Sequence, residues 1–288
     1  MNFQQTPWKH DPRSNNYSHE RFFGSVASFP ATLGRKRITP HDQMNTLRCT
    51  GYGAAHNGEY IEGRRMSPDW SAAKIGEVQG RSVDINGGDP NSCMKAMRDY
   101  GFLPIEFAPF SLQKDGVEGS GIAVWPKQLD EAALDSNAAF LRVDGTHDIF
   151  DNIRSALLKE YKQGKGACVD AFGTWYHEWS SAITIPTTYG LFAGYHRYLF
   201  VDWVTVDGTP FLVALNSYGT SVGENGYHYF PRDVVNREFS KRGTTLKILK
   251  TLTNEQLALA KQETPYGRLQ RAIIDLWYAI SEKFGNHV

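Results

Sequence analysis

Two apolar segments joined by Asp207-Gly208 constrain the fold of this chain more than any other feature. Residues 198–206 and 211–215 are both rich in β-branched and aromatic side chains, which favour strands. An Asp-Gly pair between two such segments is typical of a tight β-hairpin turn. Residues 167–172 and 227–230 have the same strand-like composition. The pattern predicts an antiparallel sheet in the second half of the chain.

The first half has helical patterns instead. Residues 49–61 are predicted to form a helix, although Gly51 and Gly53 suit a helix only if it is buried and closely packed. Asp89-Pro90 predicts the start of another helix, because Asp is a good N-cap and proline fits the first turn. A further amphipathic helix is predicted over residues 151–162. A chain that begins helical and ends in sheet indicates an α+β fold with two halves.

Composition narrows the class of protein. A chain of 288 residues with 41% apolar content is long enough for one large domain or two small ones. Its 31 basic and 31 acidic residues balance, so we expect no nucleic-acid partner. No segment approaches the roughly 20 apolar residues that cross a membrane, so we expect no membrane partner either. The polar N-terminus lacks a secretory signal, which favours the cytoplasm or a viral or other multiprotein assembly.

The chain has three cysteines, Cys49, Cys93 and Cys168. An odd number without a CxxC pair argues against a disulfide framework and a structural zinc site, and it suits a reducing compartment. We therefore expect neither a metal nor another cofactor. A lone cysteine with distant histidine and asparagine partners is instead a candidate nucleophile.

Four segments contain candidate catalytic or substrate-binding residues. Gln43 stands six positions before Cys49, at the start of the first predicted helix. The run Asn86-Gly87-Gly88 precedes the second predicted helix, and Gly194-Tyr195-His196 opens a long apolar strand. The fourth segment, residues 216–227, reads NSYGTSVGENGY and is the most specific of them.

In order and spacing, these segments resemble the papain-like (C1-type) cysteine peptidase family. The fourth is similar to the family's Asn-Ser-Trp-Gly-Thr-x-Trp-Gly-Glu-x-Gly-Tyr run, with both tryptophans replaced. The separation of Cys49 from His196 lies within the roughly 130–150 positions usual for the family. The resemblance covers about residues 28–250 and implies a two-lobed α+β fold. Its helical lobe would span about 28–135 and its β-sheet or barrel lobe about 136–250.

The resemblance implies a peptide-bond hydrolase acting on polypeptides through a thioacyl-enzyme intermediate. Cys49 would be the nucleophile, at a helix N-terminus where the dipole and a nearby imidazolium lower the thiol pKa. His196 would act as its base and Asn216 would orient the imidazole. Gln43 and the Cys49 backbone N–H would form the oxyanion hole. The residues expected to border the substrate are Gly87, Gly88, Tyr195, Arg197 and Tyr218.

The chain departs from the family at several of these places. Thr46 and Ile85 stand where the family often has a pair of cysteines, which supports a non-oxidised setting. Tyr218 replaces the tryptophan that shields the Asn–His hydrogen bond. Arg197 stands where a small residue often borders the main specificity pocket. If it points into that pocket, acidic substrate side chains are favoured; the alternative is that it faces away.

Two terminal segments lie outside the resemblance. Residues 1–27 are predicted to be a polar arm, and residues 251–288 a helical extension. Within the extension, residues 265–284 carry an apolar stripe that either packs on the core or docks on a protein partner. Two other functions stay open. The same triad would suit an amidase acting on cell-wall peptide. Alternatively, a papain-like domain serves as a structural or assembly component of a virus particle or large complex.

Overall fold

A computed structural model describes residues 16–17, 28–108, 125–134, 138–143, 148–162 and 166–251. The predicted C-terminal helix lies outside these residues, as does the N-terminal arm apart from residues 16–17. The α-helices in the described part are α1 (Cys49–Glu62), α2 (Pro68–Gln79), α3 (Val83–Asn86), α4 (Pro90–Asp99), α5 (Gln128–Ala132), α6 (Ile149–Lys162) and α7 (Arg232–Phe239). The strands are β1 (Asn16–Tyr17), β2 (Ala138–Val143), β3 (Val169–Tyr176), β4 (Phe192–Val206), β5 (Thr209–Leu215), β6 (Tyr227–Pro231) and β7 (Thr245–Thr251).

The strands form one sheet in the order β1-β2-β7-β3-β4-β5-β6, antiparallel except for the β1–β2 pair. The predicted hairpin is the β4–β5 connection. Asp207 and Gly208 both have positive φ, 48° and 77°, as a type I′ turn requires. The α+β fold with a helical first half and an antiparallel sheet is therefore confirmed.

The helix α1 is buried over most of its length, from Cys49 to Glu59. Its two glycines allow this packing. A Cβ atom at Gly51 would lie 2.6 Å from the Cβ of Ala72 in α2, and one at Gly53 would lie 2.8 Å from Nε of Arg197 in β4. The expectation that these glycines belong to a closely packed helix is confirmed. They bring α1 against α2 on one side and against the sheet on the other.

Several elements differ from the sequence prediction, among them β4 and α2. β4 begins at Phe192, before the Gly194-Tyr195-His196 run that was expected to open it, so His196 lies inside the strand. The helix α2 was not predicted. Its ends have ordinary signals, with the Ser67 side chain accepting from the Trp70 N–H and Gly80 in the left-handed conformation. All residues from Pro68 to Ile75 are buried, so the helix lacks the alternation of apolar and polar faces that indicates one.

Candidate active site

Neighbouring strands bring His196 and Asn216 together. His196 lies in β4, and Asn216 directly follows β5, which pairs with β4. The Nε2 atom of His196 is 2.7 Å from Oδ1 of Asn216, and both residues are buried. A buried pair at this distance fixes the plane of the imidazole ring.

The orientation of the Asn216 amide follows from its neighbour. The backbone N–H of Ser217 donates to Oδ1 of Asn216 at 2.7 Å, so this atom is the amide oxygen. His196 must then donate its Nε2–H to that oxygen, and in the neutral ring Nδ1 carries the lone pair. Burial lowers the pKa of His196 to about 4, although Asn216 opposes this shift and His228 adds to it. The resting ring is therefore neutral, in the tautomer that a base acting through Nδ1 needs.

Tyr218 covers the imidazole. Its ring stacks on that of His196, with centroids 4.8 Å apart and planes 11° apart, and its hydroxyl lies 3.3 Å from Nδ1. Burial and the nearby thiol of Cys49 raise the pKa of Tyr218 well above its ordinary value. The hydroxyl thus stays protonated beside His196.

Cys49 is the first residue of α1, and the residue before it anchors the helix start. Arg48 is fully buried and forms ion pairs with Asp69 and Asp84, each at 2.8 Å. Because these partners lie in α2 and α3, the guanidinium fixes the start of α1 against two other helices. The sequence pattern did not single out Arg48, although a charged residue directly before a candidate nucleophile was a signal.

All three cysteines, Cys49 included, are buried free thiols. Burial raises the pKa of Cys93 and of Cys168, that of Cys168 to about 12. Neither is therefore suited to form a thiolate at neutral pH. Among the described residues, no group of three or more His, Cys, Asp or Glu side chains is arranged to hold a metal ion.

Gln43 is tied to the segment that carries Asn216. Its backbone N–H donates to the Ser217 carbonyl at 2.8 Å, and its Oε1 accepts from the Ser217 hydroxyl at 2.5 Å. Its Nε2 donates one hydrogen to the Thr46 carbonyl at 2.9 Å. These bonds fix the side chain between the start of α1 and the Asn216 segment. The second hydrogen of the same amide nitrogen then has a fixed direction.

The predicted glycine pair lies close to the start of α1. Gly87 has a φ of 67°, a conformation that favours glycine. A Cβ atom at Gly88 would lie 2.5 Å from Oγ1 of Thr50, the residue after Cys49. Both glycines are buried. Gly88 is therefore required for packing against α1, whether or not a substrate also approaches it.

The structure overturns the expectation that Arg197 contacts the substrate. The side chain is fully buried, and its Nε donates to Oδ1 of Asp170 at 2.9 Å. A second guanidinium nitrogen pairs with the same carboxylate, and a third donates to the Thr50 carbonyl. All three guanidinium nitrogens therefore bind buried partners. The structure gives no support to the predicted preference for acidic substrates.

Tyr195 is half-buried in β4, where its ring packs edge-on against Phe192 with centroids 5.7 Å apart. As the neighbour of His196 in a strand, it lies on the opposite face of the sheet. Besides Arg48, sequence reasoning missed a second residue near the site. His228 in β6 approaches the Asn216 amide, and only the strand register places it there.

Comparison with known proteins identifies the class. The family model described as papain family cysteine protease matches residues 66–244, which is more than half of the chain and includes His196 and Asn216. The chain belongs to the papain family of cysteine proteases. Cys49 and Gln43 lie before the matched range.

Individual relatives agree with this family. The curated protein Vignain of Ricinus communis is 26% identical over 167 residues, which are 54% of this chain and 42% of that protein. The chain thus spans less than half the length of this relative. Xylellain, a cysteine protease from Xylella fastidiosa, has a TM-score of 0.67 at 17% identity, covering 87% of this chain and 96% of its own. Digestive procathepsin L 3 of Tenebrio molitor has a TM-score of 0.58 at 13% identity, covering 87% of this chain and 76% of its own. These structures support the papain-like two-lobed fold.

Within the described ranges, no helix is both long and apolar enough to span a membrane.

Proposed function

We propose that this chain hydrolyses peptide bonds with Cys49 as nucleophile, His196 as base and Asn216 as the orienting residue. The observation that carries the proposal is the buried 2.7 Å contact between His196 Nε2 and Asn216 Oδ1. It directs the lone pair of Nδ1 away from Asn216, to the side where the Tyr218 hydroxyl lies. Polypeptide is the substrate class that membership of the family favours.

In the proposed reaction, the Cys49 thiol proton moves to Nδ1 of His196, and the thiolate attacks the carbonyl carbon of the scissile bond. The tetrahedral intermediate collapses as Nδ1 returns the proton to the leaving amine, which gives a thioacyl-enzyme. A water molecule then gives its proton to Nδ1 and attacks the thioester carbonyl. Release of the acid returns the proton to the Cys49 sulfur.

Gln43 and the Cys49 backbone N–H are the proposed donors to the oxyanion. Backbone N–H groups in the first turn of a helix point along its axis, away from its body. The Gln43 side-chain amide is held at its nitrogen by the Thr46 carbonyl and at its oxygen by the Ser217 hydroxyl, which leaves one N–H hydrogen with a defined direction. Removing such a donor in comparable hydrolases lowers the rate roughly 100- to 1000-fold.

The test is alkylation of the protein by iodoacetamide, with the modified cysteine identified by mass spectrometry. We expect selective labelling of Cys49 at neutral pH. In His196→Ala, the rate should fall at least about 100-fold, because the base that takes the thiol proton is gone. Cleavage of denatured casein should be lost in Cys49→Ala.

Cys93 and Cys168 are the internal controls. Burial raises the pKa of both thiols, so the folded protein should leave them unlabelled at neutral pH, and a Cys93→Ala/Cys168→Ala variant should react like the parent chain. Labelling of Cys49 no faster than that of a small free thiol, with casein intact, would count against a peptidase. That result would favour the structural or assembly role.

A further inference from the structure

His228 lies in β6, opposite Ala214 of β5 and therefore close to Asn216, which follows that strand. Its side chain is fully buried. Nε2 lies 3.4 Å from Nδ2 of Asn216, and Nδ1 lies 2.6 Å from the carbonyl oxygen of Ala182. Each ring nitrogen of His228 thus faces one specific partner.

The hydrogens of this network can be assigned by following donors and acceptors. The Ser217 N–H identifies the amide oxygen of Asn216, so its amide nitrogen faces His228. Nε2 of His228 must then accept from that nitrogen. The Ala182 carbonyl accepts only, so Nδ1 of His228 carries the hydrogen. Each group has a role that fits its neighbours, and a flipped Asn216 amide would set donor against donor at the Ser217 N–H.

The surroundings hold His228 in place. The Trp175 ring packs edge-on against both imidazoles, with centroids 5.4 Å from His228 and 5.2 Å from His196. On another side, the turn at Gly223 approaches so closely that a Cβ there would lie 2.9 Å from Cε1 of His228. The Ala182 segment is itself anchored, since Ile185 N–H donates to the Tyr229 carbonyl at 2.9 Å. The ring therefore has little freedom to rotate.

We propose that His228 is a positioning residue that fixes the Asn216 amide, and through it the tautomer and plane of His196. The inference rests on the proposed role of Asn216 and His196 in catalysis. The hydrogen-bonded chain runs from the Ala182 carbonyl through His228 and Asn216 to His196. It extends the orienting group of the reaction by one residue, His228, which is itself held by the connection between β3 and β4.

Two amide variants separate the two bonds of His228. In His228→Gln, the side-chain amide reaches the position of Nε2 and its oxygen accepts from Asn216. In His228→Asn, the shorter amide reaches only the position of Nδ1 and keeps the bond to Ala182. We expect His228→Asn to lower kcat for a fluorogenic peptide about tenfold, equal to about 1.4 kcal/mol, with KM nearly unchanged. His228→Gln should retain most of kcat.

Thermal unfolding of both variants checks that they fold. A loss of kcat in His228→Gln as large as that in His228→Asn would overturn the proposal, because contact with Asn216 would then not matter. Equal, unchanged kcat in both variants would overturn it too. In an Asn216→Ala background, His228→Asn should have no further effect on kcat. A full additional loss there would mean that His228 acts by another route.

A spectroscopic measurement tests the inference without activity. In protein labelled with ¹⁵N-histidine, the ¹⁵N–¹H correlations of the rings report which nitrogen is protonated. We expect hydrogen on Nδ1 of His228 and on Nε2 of His196, with the His196 pattern kept in His228→Gln and averaged between tautomers in His228→Asn. An unchanged His196 pattern in His228→Asn would overturn the inference. An inactive parent chain with the expected pattern would contradict only the proposed function.

Discussion

His196 and Arg197 are neighbours in β4, yet they lie in two very different environments. The His196 face of the strand holds neutral groups, the Asn216 amide, the Tyr218 ring and the Trp175 ring. On the opposite face, Arg197 pairs with the buried carboxylate of Asp170. Successive side chains of a strand point to opposite faces, so one backbone segment serves both environments.

The face of β4 that carries the Arg197–Asp170 pair, the ionic face, connects the two halves of the molecule. Arg197 lies in the sheet, but it also donates to the Thr50 carbonyl in the first turn of α1, one residue after Cys49. Asp170 in β3 in turn accepts from Nδ2 of Asn57, in the middle of α1, at 2.9 Å. The two faces therefore have different roles. Neutral groups fix the orientation of the base, and buried charges fix the helix that carries the nucleophile.

The largest expected effect comes from breaking the ionic face. In Arg197→Met, Asp170 would remain as a buried carboxylate without its guanidinium partner. We expect the free energy of unfolding to fall by about 3–5 kcal/mol, because an uncompensated buried charge is costly. Urea denaturation followed by circular dichroism measures the change.

The double variant Arg197→Met/Asp170→Asn is the matched control. It removes both charges, while the new amide oxygen still accepts from Asn57. Since replacing both members of a buried pair is often close to neutral, it should be clearly more stable than Arg197→Met alone. If the two variants are equally destabilised, the loss comes from packing around the side chain rather than from charge.

The sequence could have predicted on which face of the sheet Arg197 lies. The chain predicted β4, and it predicted His196 as the catalytic base; alternation along a strand then places the next side chain on the opposite face. The family resemblance left open whether the side chain borders a specificity pocket or faces away, and its complete burial fits the second alternative. A buried arginine needs a buried acid, however, and no sequence pattern pairs residue 197 with Asp170. That pairing depends on the β3–β4 register, which is a property of the folded sheet.

The second expected effect is a loss of stability in acid, caused by the buried histidines on the His196 face of the sheet, the neutral face. Burial lowers the pKa of His228 to about 4, below the ordinary value of about 6.5. Between those two pH values the unfolded chain binds a proton that the folded chain does not. The free energy of unfolding should therefore fall as pH decreases through this window, and His228 should account for roughly 2 kcal/mol of the loss between pH 7 and 4.5.

His228→Gln isolates this contribution, because glutamine does not titrate in the window. Urea denaturation of parent and variant at pH 7 and 4.5 should give a smaller acid loss for the variant. Identical losses in the two proteins would mean that His228 is not held neutral by the fold, and the neutral character of this face would then rest on His196 alone.

Parts of the site differ in how far the sequence predicts them. Cys49 at the start of a helix follows from local helix pattern, and residues 216–227 form one continuous motif. His228 directly follows that motif, and the sequence predicts it only as one more residue of a strand. Its role depends on the pairing of β6 with β5 and on the loop that brings the Ala182 carbonyl to Nδ1. Contacts between distant segments are decided by tertiary packing, so local patterns do not contain them.

The smallest expected effect concerns the boundary between the thiol and the neutral face. The Tyr218 hydroxyl lies 3.3 Å from Nδ1 of His196, the atom that must take the Cys49 proton in the proposed reaction. A hydroxyl that donates to Nδ1 stabilises the neutral ring and so opposes formation of the thiolate–imidazolium pair. A net hydrogen bond is worth about 0.5–1.5 kcal/mol. In Tyr218→Phe, we therefore expect Cys49 to react with iodoacetamide about threefold faster at pH 7, a factor near the lower end of that range.

Tyr218→Trp is the companion variant, since it also lacks the hydroxyl but restores the larger shield typical of the family. It should share the faster alkylation if the hydroxyl is responsible. Slower alkylation in Tyr218→Phe would reverse the interpretation. The hydroxyl would then donate to the Cys49 sulfur and stabilise the thiolate, which places Tyr218 functionally with the nucleophile rather than with the base. The Tyr218 hydroxyl would then be a polar group on the neutral face that serves both Cys49 and His196.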